Sequence, residues 1–218
     1  MQSSERYIHL KEVGKGTFGS VIKAIDTREV QPKNIIKLIQ ASSMQRDMSN
    51  PYQDPSNYVA IKKLFYDRRY EQRELSTLNE IKSKGLCQNI IEVKDQYFRN
   101  EPSEEADKRK GLLTKEYLFI VTDFQPHTIS DLRVVPSTYV MDNSYDNSPS
   151  SVRNYCLESI KQVMLGVFQG LKDLHSIGIT HRDIKLCNIL IDNNQYPVRK
   201  VKICDFGSSK KLVSNPND

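Results

Sequence analysis

The spacing of apolar and polar positions divides the chain into short strands and two helices. Alternating or apolar runs predict strands over residues 7–13, 22–25, 58–62, 117–121, 189–191 and 198–203. Apolar residues at helical spacing predict a helix over 69–82 and a longer one over 152–175. The longer helix carries a stripe that we expect to face the core: Cys156, Ile160, Val163, Val167, Leu171 and Leu174.

The last two predicted strands form a hairpin, because Asp192 and the two asparagines after it are a turn signal. A hairpin brings its two ends together, so Asn188 and Asp205 are expected side by side. An amide oxygen next to a carboxylate suits Mg²⁺, which retains waters and takes phosphate oxygens from a nucleotide. Asp183, shortly before Asn188, can accept a hydrogen bond from an incoming hydroxyl and orient it toward that phosphate.

Three glycines, Gly14, Gly16 and Gly19, lie between the first two predicted strands. Glycine has no Cβ, so the backbone can approach a phosphate closely with its N–H groups directed at it. Dinucleotide-binding folds share this spacing, but a helix follows their glycines directly. Here a β-branched strand begins at Val21, which argues against a dinucleotide-dependent oxidoreductase.

Residues 27–57 are polar, contain three prolines and include one apolar patch over 35–39. This composition predicts an insertion between two strands, largely flexible, with one short ordered piece.

The composition, with 38% hydrophobic and 27% charged residues among 218, is typical of a soluble globular protein. No apolar run is long enough to span a bilayer, and the first residues lack the apolar core of a signal peptide. The net charge of +5 is scattered, which argues against nucleic-acid binding. The four cysteines form no C-x-x-C pair and lie in or next to apolar segments, so we expect buried, reduced thiols in a cytoplasmic and/or nuclear protein.

Four segments resemble those of a known family: VAIKK followed by DRRYEQREL, then TDFQPHT, HSIGITHRDIK and ICDFGSSKKLV. They resemble the eukaryotic protein kinases and, among these, the glycogen synthase kinase 3 (shaggy-like) family. The cyclin-dependent kinases are the nearest competing relatives, but SSKKL after DFG is not expected in them. The resemblance implies an α+β, protein-kinase-like bilobal fold, with an antiparallel sheet and helix C in the N-lobe (1–125) and a truncated, mainly helical C-lobe (126–218).

The resemblance also implies a serine/threonine protein kinase that uses ATP and Mg²⁺ on protein substrates. Lys62 would contact the α- and β-phosphates, and Glu74, with Glu71 as the alternative, would hold Lys62 in place. Asp183 would orient the hydroxyl, and Lys185 would steady the transferred phosphoryl group. Asn188 and Asp205 would be the metal ligands.

Further ATP contacts are implied along the chain. Thr122 would lie at the back of the adenine pocket, the backbones of Asp123 and Gln125 would bind the adenine edge, Phe18 would cap the glycine loop, and Val21 would press on the ring. The full set of implied ATP-binding residues is Val13, Gly14, Lys15, Gly16, Thr17, Phe18, Gly19, Val21, Ala60, Lys62, Thr122, Asp123, Gln125, Asn188, Leu190, Cys204 and Asp205.

In the shaggy-like family, three basic residues bind a phosphate already present on the substrate. The matching positions here are Arg73, Arg182 and Lys210, which implies a preference for primed substrates.

Departures from the family pattern are Leu186 in place of a proline, Cys87 in place of a histidine, and the insertion over 27–57. The chain also ends at Asp218, shortly after DFG, so the resemblance implies that the rest of the activation segment and the later helices are missing. An alternative function is therefore a catalytically inactive, ATP-binding fragment or pseudokinase that acts as a regulatory module.

Overall fold

The computed structural model describes residues 6–16, 19–44, 50–67, 72–86, 88–102, 113–131, 149–192, 198 and 200–212; the side chains of 149–156 and 159 are not described. These residues group into two compact units. The sheet unit comprises Met1–Gln72 and Glu92–Phe124, and the helical unit comprises Arg73–Ile91 and Gln125–Asp218. The predicted boundary between an N-lobe and a C-lobe at residue 125 stays a prediction. In the structure, the helix that begins at Arg73 groups with the helical unit.

The sheet unit is built on five antiparallel strands in the order β1-β2-β3-β5-β4. Their bounds are Tyr7–Gly16 (β1), Gly19–Asp26 (β2), Val59–Phe65 (β3), Val93–Pro102 (β4) and Thr114–Asp123 (β5). A core of alternating buried residues covers one face: Tyr7, Ala24, Val59, Ile61, Tyr97, Phe119 and Val121.

The opposite face of the sheet carries several predicted ATP-binding residues. Val21 lies directly across from Lys62, and Ala60 lies directly across from Thr122. Directly paired residues share a face, as do residues two apart on one strand. The register therefore places Val21, Ala60, Lys62 and Thr122 on one face.

The insertion over 27–57 was predicted to be largely flexible, with one short ordered piece, and its described residues contain one helix and two short turns. Helix α1 spans Pro32–Ser43, and two 3-10 turns span Pro51–Gln53 and Pro55–Asn57. Each of the three begins with a proline, which fits the first helical position because its fixed φ is already helical. Leu38 of α1 is buried against the sheet.

The helical unit contains helix α2 (Arg73–Ser83) and helix α3 (Pro149–Ser176). Strands β6 (His127–Thr128), β8 (Ile189–Ile191) and β9 (Val201–Ile203) form a three-stranded sheet, and β7 (Ile179–Thr180) pairs with β10 (Lys210–Lys211). Among the described helices, none is both long and apolar enough to cross a membrane.

Helix α3 packs closely against β9, although not along the whole predicted stripe. Val163 and Leu174 are buried, but Ile160 is 51% exposed, so its predicted core position is wrong. Spacing identifies one apolar stripe, while burial depends on which neighbouring element covers each position. Cys156 lies outside the described side chains.

Candidate active site

The β8–β9 hairpin aligns the segments that were predicted to bind a metal. Ile189 pairs with Ile203, and the Cys204 N–H donates to the Asn188 carbonyl at 3.0 Å. The predicted hairpin is therefore confirmed. Asp205 directly follows Cys204, which is hydrogen-bonded to Asn188. Asp205 has φ 66°, a left-handed conformation that is uncommon for a residue other than glycine.

Asp183, Lys185 and Asn188 form one hydrogen-bonded network. Lys185 Nζ donates to Asp183 Oδ2 at 2.7 Å, and Asn188 Nδ2 donates to the same oxygen at 3.1 Å and to the Asp183 carbonyl at 2.9 Å. The bond from Lys185 lowers the pKa of Asp183, and the same bond raises the pKa of Lys185. Asp183 is therefore an anion, in the state required to accept a hydrogen bond from a hydroxyl.

The metal-binding prediction is consistent with how Asn188 is held. Its Nδ2 is committed to Asp183, so Oδ1, the atom that a metal requires, is not part of that network; the thiol of Cys187 contacts it at 3.8 Å. Cys187 is exposed, so the expectation that its thiol is buried is wrong. Asn188 is buried and Asp205 is half-buried. Among the described residues, no three His, Cys, Asp or Glu side chains could together hold a metal ion. The metal site at Asn188 and Asp205 stays a prediction.

Both ring nitrogens of His181 hydrogen-bond to the backbone, one in this loop and one in the segment after β9. Its Nε2 lies 2.9 Å from the Cys204 carbonyl, and the Asp183 N–H donates to Nδ1 at 3.2 Å. A carbonyl can only accept, so Nε2 carries the proton and the ring is neutral. Burial lowers the pKa of His181, in agreement with this assignment. The Phe206 ring packs edge-on against the imidazole, with centroids 4.9 Å apart.

The segment after Gly207 is held on both sides. On one side, β10 pairs with β7, and Arg182 Nε donates to the Ser208 carbonyl at 2.7 Å. On the other side, Thr77 of α2 lies 3.0 Å from the hydroxyl of Ser209, and Lys211 pairs with Glu80 at 2.5 Å. Glu74 lies near this segment as well, since its Oε2 is 3.9 Å from where a Cβ on Gly207 would be. None of these links was predicted from the sequence.

The last glycine of the predicted phosphate loop has a steric role within the sheet. Gly19 has φ +156°, and a Cβ there would lie 1.9 Å from the Lys63 carbonyl oxygen on β3. No side chain fits at that distance. This constraint was not predicted, because the close approach joins two strands that are separated by the insertion.

The predicted site residues fall into two groups. The sheet unit contains Val13, Gly14, Lys15, Gly16, Gly19, Val21, Ala60, Lys62, Thr122 and Asp123. The helical unit contains Arg73, Glu74, Gln125, Arg182, Asp183, Lys185, Asn188, Leu190, Cys204, Asp205 and Lys210. Thr17, Phe18, Glu71 and Cys87 lie outside the described residues. The ion pair between Lys62 and Glu74 joins the two units and stays a prediction.

Residues 7–217 match the family described as protein kinase domain. The chain belongs to this family. A protein from Encephalitozoon cuniculi described as Probable serine/threonine-protein kinase MRK1 homolog is 30% identical over 209 residues, which are 96% of this chain and 46% of that protein. Protein kinase gsk31 of Schizosaccharomyces pombe is 32% identical over 162 residues, which are 73% of this chain and 35% of that protein. The chain spans less than half the length of these curated relatives.

Membership of the protein kinase domain family confirms the predicted fold class. The antiparallel sheet with the glycines between β1 and β2 corresponds to the predicted N-lobe. The loop over 181–188 and the segment over 204–207 both lie within the matched residues; their roles in catalysis and metal binding stay predictions.

Proposed function

We propose that this chain carries the ATP-binding and catalytic residues of a serine/threonine protein kinase. The observation that carries the proposal is the network in which Lys185 and Asn188 both donate to Asp183. Asp183 would accept the hydrogen bond of a Ser or Thr hydroxyl, whose oxygen attacks the γ-phosphorus of ATP. The bond to the β–γ bridging oxygen breaks, ADP leaves, and the hydroxyl proton passes to Asp183.

Each proposed role follows from charge and position. Lys62 would bind the α- and β-phosphates, with Glu74 as its ion-pair partner, and Lys185 would steady the transferred phosphoryl group. Mg²⁺, which Asn188 and Asp205 would hold, would neutralise charge on the phosphate oxygens. Val21, Ala60 and Thr122, on the same sheet face as Lys62, would surround the adenine ring; the register of three strands supports this role.

The test compares phosphoryl transfer by Lys62→Met and Asp205→Asn with that of the unmutated protein. It uses the protein at its full natural length. Each variant is expected to lose at least about a hundredfold in turnover, because a transition-state contact is removed. Lys63→Met is the matched control: Lys63 is the next residue on β3, points to the other face, and pairs with Glu101. Retention of more than about a hundredth of the turnover in either test variant would contradict the assignment.

A finer proposal is that the protein is glycogen synthase kinase 3-like and prefers primed substrates. Arg73, Arg182 and Lys210 are all exposed and all lie in the helical unit. Arg182 Nε is bound to the Ser208 carbonyl, which fixes the guanidinium beside the segment that carries Lys210. Arg73 lies one helical turn before Thr77, which contacts Ser209 in the same segment. Three cations placed around one segment would bind a phosphate dianion through charge-assisted hydrogen bonds.

This proposal is tested with one peptide in primed and unprimed forms. We expect the unmutated protein to prefer the primed peptide, and Arg73→Ala to remove that preference while the rate on the unprimed peptide is retained. Lys82→Ala is the matched control, because Lys82 is an exposed cation in the last turn of the same helix. Equal rates of the unmutated protein on both peptides would show that these residues do not bind a priming phosphate.

A further inference from the structure

The insertion over 27–57 meets the sheet at a cluster of three residues, Lys23, Tyr58 and Phe124, which we name the connector cage. Lys23 Nζ lies 3.5 Å from the centre of the Tyr58 ring and 5.0 Å from that of Phe124. The two rings pack edge to face at 6.2 Å. Lys23 is only 9% exposed, so its interaction with the rings is largely desolvated and correspondingly strong.

The connector cage lies on the face of the sheet that carries the proposed adenine-binding residues. Lys23 pairs directly with Ala60, and Ala60 pairs directly with Thr122. Tyr58 lies two residues before Ala60 and has an extended backbone. Phe124 lies two residues after Thr122. Residues two apart on a strand share a face, so both rings lie on this face. The cage therefore lies on the same face, with Lys23 in the row of Ala60 and Thr122 and the two rings in the next row, adjoining the position proposed for adenine.

The insertion fixes the position of Tyr58. The Tyr58 hydroxyl lies 3.1 Å from the Leu38 carbonyl of α1 and 2.6 Å from the Tyr52 carbonyl in the following turn. The two carbonyls share the single hydroxyl proton, and since Tyr58 and Leu38 are each 1% exposed, water does not compete for it. Gln53 Nε2 donates to the Ala41 carbonyl at 3.1 Å and joins the turn to the helix.

Phe124 links the cage to the backbone that is proposed to bind the adenine edge. It directly follows Asp123, whose carboxylate accepts the Glu92 N–H at 3.1 Å. The side-chain hydrogen bond therefore fixes Asp123, and the contacts with Tyr58 and Lys23 fix Phe124. A shift of Tyr58 would displace Phe124 and, with it, the end of this segment.

We propose that the insertion acts as the outer wall of the adenine site and that Tyr58, through the connector cage, is a positioning residue for adenine binding. This inference rests on the proposed function. It assigns to the insertion a role in nucleotide affinity and not only in stability.

The experiment measures the affinities of the complete protein for adenosine, ATP and inorganic tripolyphosphate by titration calorimetry in the presence of Mg²⁺. Tyr58→Phe removes the hydroxyl and retains the ring. We expect it to weaken adenosine and ATP binding by about threefold to tenfold, the range that corresponds to one buried hydrogen bond, with tripolyphosphate affinity unchanged. A purely structural role for the insertion would not change the affinities for adenosine and tripolyphosphate in this selective way.

Tyr97→Phe is the matched control. Tyr97 is also buried in the sheet unit, but on the opposite face, and its hydroxyl has no hydrogen-bond partner among the described residues. It is expected to bind all three ligands as the unmutated protein does. Unchanged adenosine affinity in Tyr58→Phe, or an equal loss for all three ligands, would overturn this inference alone. An unmutated protein that binds neither adenosine nor ATP would overturn the proposed function and the inference together.

Discussion

Thr77 Oγ1 lies 3.0 Å from Ser209 Oγ, which joins helix α2 to the segment after DFG. Ser209 Oγ also lies 2.7 Å from the Phe206 carbonyl, which can only accept, so Ser209 donates there and Thr77 donates to Ser209. Ser209 is fully buried. Thr77→Val is therefore expected to lower the free energy of unfolding by about 1 kcal/mol, and Ser209→Ala by about 1–2 kcal/mol.

The double variant Thr77→Val, Ser209→Ala tests whether the two hydroxyls are hydrogen-bonded to each other. We expect it to lose about 0.5–1 kcal/mol less than the sum of the single losses, as measured by denaturant unfolding followed by circular dichroism. Ser83→Ala, which removes an exposed serine hydroxyl from the end of the same helix, is the control and should change little. Strict additivity would show that the link does not exist in solution.

The buried histidine of the catalytic loop predicts a dependence of stability on pH. Burial lowers the pKa of His181 below its usual 6.5, so the unfolded chain binds a proton that the folded chain does not. Above pH 6.5, His181 is neutral in both states and does not make stability depend on pH. As the pH falls below 6.5 toward the folded pKa, protonation of the unfolded chain lowers the free energy of unfolding. The slope in that window approaches about 1.4 kcal/mol per pH unit.

His181→Gln isolates this contribution. Burial also lowers the pKa of His9, but His9 is present in both proteins, so its contribution cancels in the difference. The free energy of unfolding of the unmutated protein should fall more steeply than that of the variant between pH 6.5 and pH 5.5. Parallel curves for the two proteins would contradict the neutral, buried assignment of His181.

Helix α3 approaches β9 closely at Gly166. A Cβ on Gly166 would lie 2.7 Å from Val201 Cβ and 3.1 Å from Asn89 Nδ2. Gly166→Ala should therefore lower the free energy of unfolding by about 1–3 kcal/mol, although alanine favours a helix by about 1 kcal/mol. Gln169→Ala, at an exposed position of α3, is the control. A more stable Gly166→Ala variant would show that the helix lies farther from the strand.

Much of the fold could be predicted from local pattern. The β8–β9 hairpin is an example, because two apolar runs and a turn signal lie within one short segment. The family motifs could name candidate catalytic residues because these are contiguous in sequence, and their roles stay predictions.

The remaining features depend on contacts between distant segments. One short ordered piece was expected in the insertion, but a helix over Pro32–Ser43 was not specified; it begins at Pro32, and proline at the first helical position fits a helix start. The constraint on Gly19 comes from the Lys63 carbonyl across the sheet, and the partner of Thr77 is Ser209. Small polar pairs of this kind leave no periodic signal in a sequence.

The central claim is that Asp183 takes part in phosphoryl transfer without binding the nucleotide. The most direct measurement is the turnover and the ATP affinity of Asp183→Asn in the complete protein, with Asp192→Asn as a control in the same unit. Asparagine has nearly the same shape as aspartate but cannot accept the hydroxyl proton as an anion does. We expect turnover on a Ser/Thr peptide to fall by at least about a hundredfold while the dissociation constant for Mg-ATP changes by less than about twofold. Turnover within about tenfold of the unmutated protein would contradict the account.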